Sequence, residues 1–342
     1  MIVRSRAPLR LGLAGGGTDV SPFSDEHGGC VMNVTIDKYA YVTVDESPIG
    51  KVELGARDAD VSNTYPTGPL PLVAGPTQLM SGVYNRISRD YLDGRCQPLR
   101  IRTHSDAPPG SGLGSSSTMV VALVAAFAEY FGLALGEYEI ARLAYVIERE
   151  DLALAGGKQD QYAAAFGGFN FMEFYGGERV IVNPLRIKEA VWAELESSLV
   201  LYFTGVSRAS AAIIEEQSRN VREGSAESLG AMFQLKEEAV QMKEAVLLGD
   251  MSRFAKVMQA GWEAKKRMAA SITNPMIDHV EAIASRHGAH AAKVSGAGGG
   301  GFMMFVCDPA DRTSLVQALT GLGGRVFDAH FSSSGAYAWK AN

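Results

Sequence analysis

The pattern of apolar and polar positions predicts alternating strands and helices in the first half of the chain. Short runs of β-branched residues bounded by glycine or proline are typical of strands. Apolar residues spaced by three, four and seven positions, as at Ile140, Leu143, Ala144 and Ile147, are typical of amphipathic helices. The predicted strands are Leu9–Leu13, Val31–Val44, Leu99–Thr103, Gly168–Phe174 and Arg179–Val182, and the predicted helices are Gln78–Tyr91, Ser116–Phe131 and Glu137–Leu154.

The second half opens with a strand and then becomes largely helical. A boundary near residues 185–198 divides the chain into two predicted domains, 1–190 and 191–342, although nothing there resembles a flexible linker. We therefore expect two tightly packed halves with a cleft between them. The predicted strands of this half are Leu199–Phe203, Ala291–Val294 and Phe302–Val306, and the helices are Ala209–Val221, Ala226–Leu248, Ser252–Met268, Met276–Ser285 and Thr313–Leu319.

Composition and charge exclude several classes of protein. A chain of 342 residues, 46% hydrophobic, has enough apolar side chains for two packed cores, which excludes disordered and fibrous proteins. The net charge of −6 does not favour nucleic acid or an anionic membrane as partner. The most apolar run, Met119 to Ala128, is about half the length of a membrane span. Cys30, Cys96 and Cys307 fit neither a disulfide framework nor a zinc site, so the predicted location is the reducing cytoplasm.

Three loops hold a large share of the 38 glycines. The second loop, Pro108-Pro-Gly-Ser-Gly-Leu-Gly-Ser-Ser-Ser-Thr118, leads directly into the most apolar predicted helix. Its glycines allow close approach of a ligand to the backbone, and the free N–H groups of the helix N-terminus attract anions. A helix simply capped by serine is the plainer alternative. No Gly-x-x-x-x-Gly-Lys-[Ser/Thr] motif occurs, so this is not a Walker A loop.

This loop is similar to the second motif of the GHMP kinases, the family named for galactokinase, homoserine kinase, mevalonate kinase and phosphomevalonate kinase. Arg6-Ala-Pro-Leu-Arg-Leu-Gly-Leu-Ala-Gly-Gly-Gly-Thr-Asp19 resembles the first motif, and Lys293-Val-Ser-Gly-Ala-Gly-Gly-Gly-Gly-Phe302 resembles the third. The resemblance implies an α+β fold of two domains, an N-terminal α/β domain like ribosomal protein S5 and a C-terminal ferredoxin-like domain, with the active site in the cleft between them. It also implies that ATP binds to Pro109, Gly110, Ser111, Gly112, Leu113, Gly114, Ser115, Ser116, Ser117, Gly298 and Gly299.

The third loop formally fits a second class of protein. Gly296 to Gly301 satisfies the G-x-G-x-x-G pattern of dinucleotide-binding folds. In those folds the glycines open a helix, whereas here they lead into the predicted strand Phe302–Val306. We therefore reject a dinucleotide oxidoreductase; a tight turn between strands remains the plainer alternative to a phosphate loop.

The resemblance implies roles for four further side chains. Ser116 and Glu148 correspond to the Mg²⁺ ligands of the family, and hard oxygen donors suit that ion. Asp160 corresponds to the catalytic base, and Arg10 to the basic residue that pairs with it and stabilises the transferring charge. Plainer roles are an exposed helix position for Glu148 and a helix cap for Asp160. Arg10 lies in an apolar strand and requires an anionic partner.

The acceptor is expected to contact Gly17, Thr18 and Asp19, where galactokinases carry Gly-Glu-His-Thr-Asp and this chain has lost the Glu-His pair. Together with residues 156–171 and 203–208, this segment resembles a subgroup that phosphorylates the anomeric hydroxyl of D-glycero-D-manno-heptose 7-phosphate, for the synthesis of nucleotide-activated heptose. The implied partners are thus a small sugar phosphate and ATP, with Mg²⁺ as cofactor. A kinase for another sugar, such as fucose, and a non-catalytic sensor remain alternatives, as do a monomer and a homodimer.

A phosphorylated acceptor needs a second site for an anion. Ser207 and Arg208, at the start of a predicted helix, offer a hydroxyl, free N–H groups and a guanidinium. The plainer alternative is a serine cap beside an exposed arginine. Arg10 and Lys158 are competing contacts for the same phosphate.

Overall fold

The structure is a computed structural model that describes residues 1–108, 110–206 and 210–341. Its strands are β1 (Ile2–Ala14), β2 (Gly29–Glu46), β3 (Val52–Ala56), β4 (Val61–Tyr65), β5 (Leu99–Ser105), β6 (Phe169–Phe174), β7 (Val180–Pro184), β8 (Leu199–Phe203), β9 (Ala289–Val294), β10 (Phe302–Cys307), β11 (Arg325–Phe327) and β12 (Tyr337–Ala341). Its helices are α1 (Phe23–His27), α2 (Gln78–Tyr91), α3 (Ser115–Phe131), α4 (Glu137–Val146), α5 (Gln159–Phe166), α6 (Glu189–Ser198), α7 (Ser210–Arg222), α8 (Ala226–Leu248), α9 (Met251–Lys266), α10 (Pro275–Arg286) and α11 (Arg312–Thr320).

Two β-sheets organise these elements. The first has the order β12-β1-β2-β5-β3-β4, with β6 paired to β2 and β7 paired to β6. The second has the order β11-β8-β10-β9 and belongs to the second half of the chain. The pair β3–β5 is parallel, and the other pairs in both sheets are antiparallel. Helix α3, which is apolar nearly all round, packs against β1 and β2 as a buried core helix.

A shared hydrophobic core joins the two halves. Leu11, Met32 and Phe169 from the first sheet form one buried cluster with Met242 of α8 and Met304 of β10. Because this cluster draws on both halves, the two halves pack against each other through a continuous core. Separate clusters fill the space between the first sheet and helices α2 to α5, and between the second sheet and helices α8 to α11.

The predicted strands and helices are confirmed, with a few differences. The helix predicted over Glu137–Leu154 ends at Val146 and continues as one π-helical turn, Ile147–Asp151. Strands β3 and β4 and helices α1 and α6 were not predicted. The boundary proposed at residue 190 separates the two sheets, but β12 returns to pair with β1 in the first sheet. No helix in the described ranges is long and apolar enough to span a membrane.

Candidate active site

The three glycine loops meet in one cleft of about 270 Å³. The cleft also receives side chains from β1, α7, α9 and the segment that follows α4. Of the predicted nucleotide-binding residues, Ser111, Leu113, Gly298 and Gly299 support the loops without lining the cleft. Pro109, Ser207 and Arg208 lie outside the described residues. The lining residues from the three loops are Gly17, Gly110, Gly112, Gly114, Ser115, Ser116, Ser117, Gly296 and Ala297.

The second and third loops are joined by hydrogen bonds. Phe302 N donates to the carbonyl of Ser111 at 2.9 Å, and Ser295 Oγ donates to the carbonyl of Gly112, also at 2.9 Å. Gly112 has φ +85°, and a Cβ there would overlap the carbonyl oxygen of Ser295. Glycine is therefore required at this position both for its conformation and for the close approach. The third loop is more than a tight turn between strands, because it forms part of the wall of the cleft.

The N-terminus of α3 opens into the cleft without a side-chain cap. Its N-cap residue is Gly114, in the left-handed conformation with φ 76°, and no side chain bonds to the first N–H groups. The serine-cap alternative is therefore wrong: the hydroxyl of Ser116 bonds to Glu148, and that of Ser117 accepts from Arg149 and Gln161. These N–H groups and the positive end of the helix dipole form a site for phosphate.

Glu148 is buried beside Ser116 and does not lie on an exposed helix face. One carboxylate oxygen accepts from Ser116 Oγ at 2.7 Å, and the other accepts from Gln161 Nε2 at 2.7 Å. Glu148 lies within the π-helical turn, is 1% exposed and lines the cleft. The predicted ligand pair is thus brought together. No cluster of three or more His, Cys, Asp or Glu side chains that could hold a metal occurs among the described residues, so phosphate oxygens or water would have to complete a Mg²⁺ shell.

Asp160 and Arg10 form an ion pair across the cleft floor. Arg10 Nε donates to Asp160 Oδ1 at 2.6 Å, and the same guanidinium donates to the carbonyl of Gly112 at 2.7 Å. The arginine side chain is 4% exposed and the aspartate 20%, so the carboxylate faces the cavity while its partner is enclosed. Asp160 does not cap α5 in the described structure. Its free oxygen is available to an acceptor hydroxyl.

Asp19 holds the N-terminus of α5. Its Oδ2 accepts from the backbone N–H groups of Lys158 at 2.9 Å and Gln159 at 3.0 Å. Burial raises the pKa of this carboxyl, the backbone hydrogen bond from Gln159 opposes that effect, and the nearby charge of Asp160 raises it further. Asp19 lines the cleft, but its carboxylate is already engaged in placing the helix that carries Asp160.

The structure corrects one predicted contact with the acceptor, Thr18, and places another, Lys158, outside the lining of the cleft. Thr18 is fully buried; its hydroxyl oxygen lies 2.8 Å from the carbonyl oxygens of both Gly15 and Cys30 and accepts from Cys30 N, so it shapes the first loop and does not line the cleft. Lys158 does not line the cleft; its Nζ lies 3.5 Å from Asp25 Oδ1 and 5.8 Å from the centre of the Tyr145 ring, and a contact from it to the phosphate stays a prediction.

Sequence reasoning missed Lys265, Arg149 and Gln161. Lys265 is 5% exposed and lines the cleft, with Nζ bonded to the carbonyl of Gly296. Burial and the neighbouring Arg10 lower its pKa to about 8, although Asp19 and Asp160 act in the opposite direction. One signal was present: Lys265 continues the helical spacing of the buried Met258 and Trp262.

Residues 78–168 match the family described as GHMP kinases N terminal domain, and residues 242–323 match GHMP kinases C terminal. The chain is 44% identical over 340 residues, 99% of both chains, to D-glycero-alpha-D-manno-heptose 7-phosphate kinase of Campylobacter jejuni. The chain belongs to the GHMP kinase family. This confirms the predicted fold class and makes the protein a kinase that transfers phosphate from ATP to an alcohol.

Further comparisons agree with this assignment. The crystal structure of a D-glycero-D-manno-heptose 1-phosphate kinase from Bacteroides thetaiotaomicron superposes with a TM-score of 0.84 at 46% identity, covering 99% of each chain. The L-fucokinase/L-fucose-1-P guanylyltransferase of Bacteroides fragilis is 26% identical over 93% of this GHMP kinase, which spans 36% of that longer protein.

Proposed function

We propose that this GHMP kinase uses ATP and Mg²⁺ to phosphorylate the anomeric hydroxyl of D-glycero-D-manno-heptose 7-phosphate. The observation that carries the proposal is the Asp160–Arg10 pair, which faces two phosphate-binding loops within one cleft. The heptose phosphate kinases to which the chain is similar over nearly its whole length support the class of sugar.

Different residues of the chain contribute to different parts of phosphate transfer. The α3 N-terminus holds the triphosphate, and Asp160 Oδ2 accepts or orients the proton of the attacking hydroxyl. Arg10 pairs with the aspartate and adds positive charge where negative charge develops. Glu148 and Ser116 would hold Mg²⁺, which neutralises phosphate oxygens when it is bound.

The remaining predicted residues keep their proposed roles on the acceptor side. Gly17 and Asp19 form the wall beside the sugar. A contact from Ser207 or Arg208 to the sugar phosphate stays a prediction, because both lie outside the described residues.

The relatives differ in the position of the phosphate that their substrate already carries. One is described as a heptose 7-phosphate kinase and the other as a heptose 1-phosphate kinase. Only the 7-phosphate leaves the anomeric hydroxyl free for Asp160. We therefore expect turnover with the 7-phosphate and none with the 1-phosphate.

A substrate panel tests the proposal. Purified protein with ATP and Mg²⁺ is assayed against heptose, heptose 7-phosphate, heptose 1-phosphate and L-fucose, with the product position read by ³¹P NMR. The expected result is a kcat/KM at least tenfold higher for the 7-phosphate and a 1,7-bisphosphate product. Equal turnover of unphosphorylated heptose would contradict the 7-phosphate assignment, and preference for fucose would replace it with the alternative.

A further inference from the structure

A second cavity of about 200 Å³ opens from the acceptor side of the cleft. Residues of the second and third glycine loops do not line it, so it is separate from the phosphate-binding side. Its lining comes from α4, from the segment after β1, from the residues just before α5 and from α7. The two cavities form one continuous chamber, because they share the lining residues Asp19, Val20, Ala155, Gly156 and Ile214.

The second cavity carries three groups that donate hydrogen bonds to anions. Ser218 and Arg222 lie one helical turn apart on α7, so both side chains occupy the same face. Tyr145 of α4 lines the cavity with them and brings a phenolic hydroxyl. A guanidinium with two hydroxyls is a donor set suited to a phosphate monoester.

Arg222 differs from the other cations of the chamber. Arg10 is paired with Asp160, Arg149 with Glu148, and Lys265 with the carbonyl of Gly296. For Arg222, no carboxylate lies within 4.0 Å anywhere in residues 1–108, 110–206 and 210–341. Of the four lining cations, Arg222 is therefore the one that neither an ion pair nor a hydrogen bond engages within the described residues.

We propose that this cavity binds the phosphate at the far end of the sugar substrate, between Arg222, Ser218 and Tyr145. The inference rests on the proposed function, in which the reacting hydroxyl is on C1 and the phosphate is on C7. C7 is joined to the ring through C6, so a substrate whose C1 hydroxyl meets Asp160 must place its phosphate in a separate subsite. The cavity beyond Asp19 is continuous with the cleft and meets that requirement.

One acidic side chain, Glu215, also lines the second cavity. It lies two turns before Arg222 on α7, and its negative charge opposes phosphate binding. Removal of this charge is therefore expected to have the opposite effect to removal of Arg222. The chain thus offers two substitutions of opposite sign at one site.

The experiment compares Arg222→Ala, Arg222→Lys, Glu215→Gln and a control, Arg219→Ala, which removes an exposed arginine of α7 that lines neither cavity. Each variant is assayed with heptose 7-phosphate and with unphosphorylated heptose. We expect Arg222→Ala to reduce the kcat/KM ratio of the two sugars by roughly 10- to 100-fold, as for loss of a charged hydrogen bond. Arg222→Lys recovers part of the ratio, Glu215→Gln raises it, and Arg219→Ala leaves it as in the wild type.

The outcomes separate this inference from the proposed function. If wild-type protein prefers the 7-phosphate and Arg222→Ala keeps the same ratio, the phosphate lies elsewhere and the inference is overturned. A uniform loss with both sugars also overturns it, because that result indicates a structural role; ATP binding by each variant checks the fold. If the wild type shows no preference for the phosphorylated sugar, the 7-phosphate assignment itself fails.

Discussion

At the residue scale, the proposed reacting centre contains a carboxylate whose ionic partner is more enclosed than the carboxylate itself. Asp160 is 20% exposed while Arg10 is 4% exposed, so the ion pair directs the carboxylate toward the cavity. This arrangement places a carboxylate with one free oxygen in a cleft whose other groups suit anions.

Replacement of Asp160 tests its role directly. We expect Asp160→Asn to lower kcat by about 10²- to 10⁴-fold, because the amide cannot accept the hydroxyl proton. The KM for ATP should change little, since the triphosphate is held by the loops. Steady-state kinetics provide the measurement, and Asp25→Asn, outside the cleft, is the control. An unchanged kcat in Asp160→Asn would remove the residue from catalysis.

The lowered pKa of Lys265 leads us to expect that activity depends on pH. Its pKa is lowered to about 8, so the side chain is charged at pH 7 and becomes neutral as the pH rises through 8. Because a positive charge in the cleft favours the substrate phosphates, kcat/KM is expected to fall above pH 8. In Lys265→Arg this alkaline decline should move upward, since arginine stays protonated. A decline that stays at pH 8 in this variant would have another source.

At the scale of elements, helix α3 carries a glycine in the left-handed conformation at each end. Gly114 has φ +76° and Gly132 has φ +69°, so alanine at either position introduces similar backbone strain. The surroundings differ: a Cβ at Gly114 would lie 3.1 Å from the Asp160 carboxyl group, whereas nothing lies within 4 Å of one at Gly132. The two positions form a matched pair.

We expect Gly114→Ala and Gly132→Ala to lower the free energy of unfolding by similar amounts, about 1–2 kcal/mol. Only Gly114→Ala should reduce kcat, by at least tenfold, because its methyl group would crowd the carboxylate of Asp160, the proposed catalytic base. Urea unfolding and kinetics of both variants test this. Comparable kcat losses in the two variants would show that strain alone is responsible.

Most elements could be predicted because they follow local patterns, and some of the exceptions lie at the site. The π-helical turn at Glu148 continues the apolar spacing of α4, so periodicity alone extends the helix to Leu154. Lys265 could not be assigned to the site from the sequence. A lysine on an apolar helix face is recognised as a site residue only when its neighbours across the cleft are known. The family motifs, not the periodicity, identified Arg10, Asp160, Ser116 and Glu148, and what the structure adds is the contacts of each.

At the scale of the whole molecule, the two halves are joined by a shared hydrophobic cluster and by hydrogen bonds. Their buried cluster includes Leu11 and Met304, and Lys293 Nζ donates to the carbonyls of Gly12 at 2.9 Å and Leu13 at 3.2 Å. Burial and the nearby Lys265 lower the pKa of Lys293 to about 7. This buried lysine keeps its hydrogen bonds only while the two halves remain together.

We expect the molecule to unfold in one cooperative transition. Hydrogen exchange should give the slowest amides of β1 and β10 the same opening free energy and the same denaturant dependence. The reason is that the shared cluster cannot be opened from one side alone. Mass spectrometry of peptides covering the two strands provides the measurement. Two distinct opening energies would indicate halves that unfold separately.

Strand β12 has a consequence for the connectivity of the chain. It runs antiparallel to β1, with Ile2 opposite Ala341, so the first and last strands end side by side. A short peptide joining those ends would leave the sheet undisturbed, and new ends could be opened at the exposed turn around Gly94, where nothing lies within 4 Å of a Cβ. Such a circular permutant would keep all three glycine loops in place, because their meeting depends on packing and not on the order in which the segments are connected.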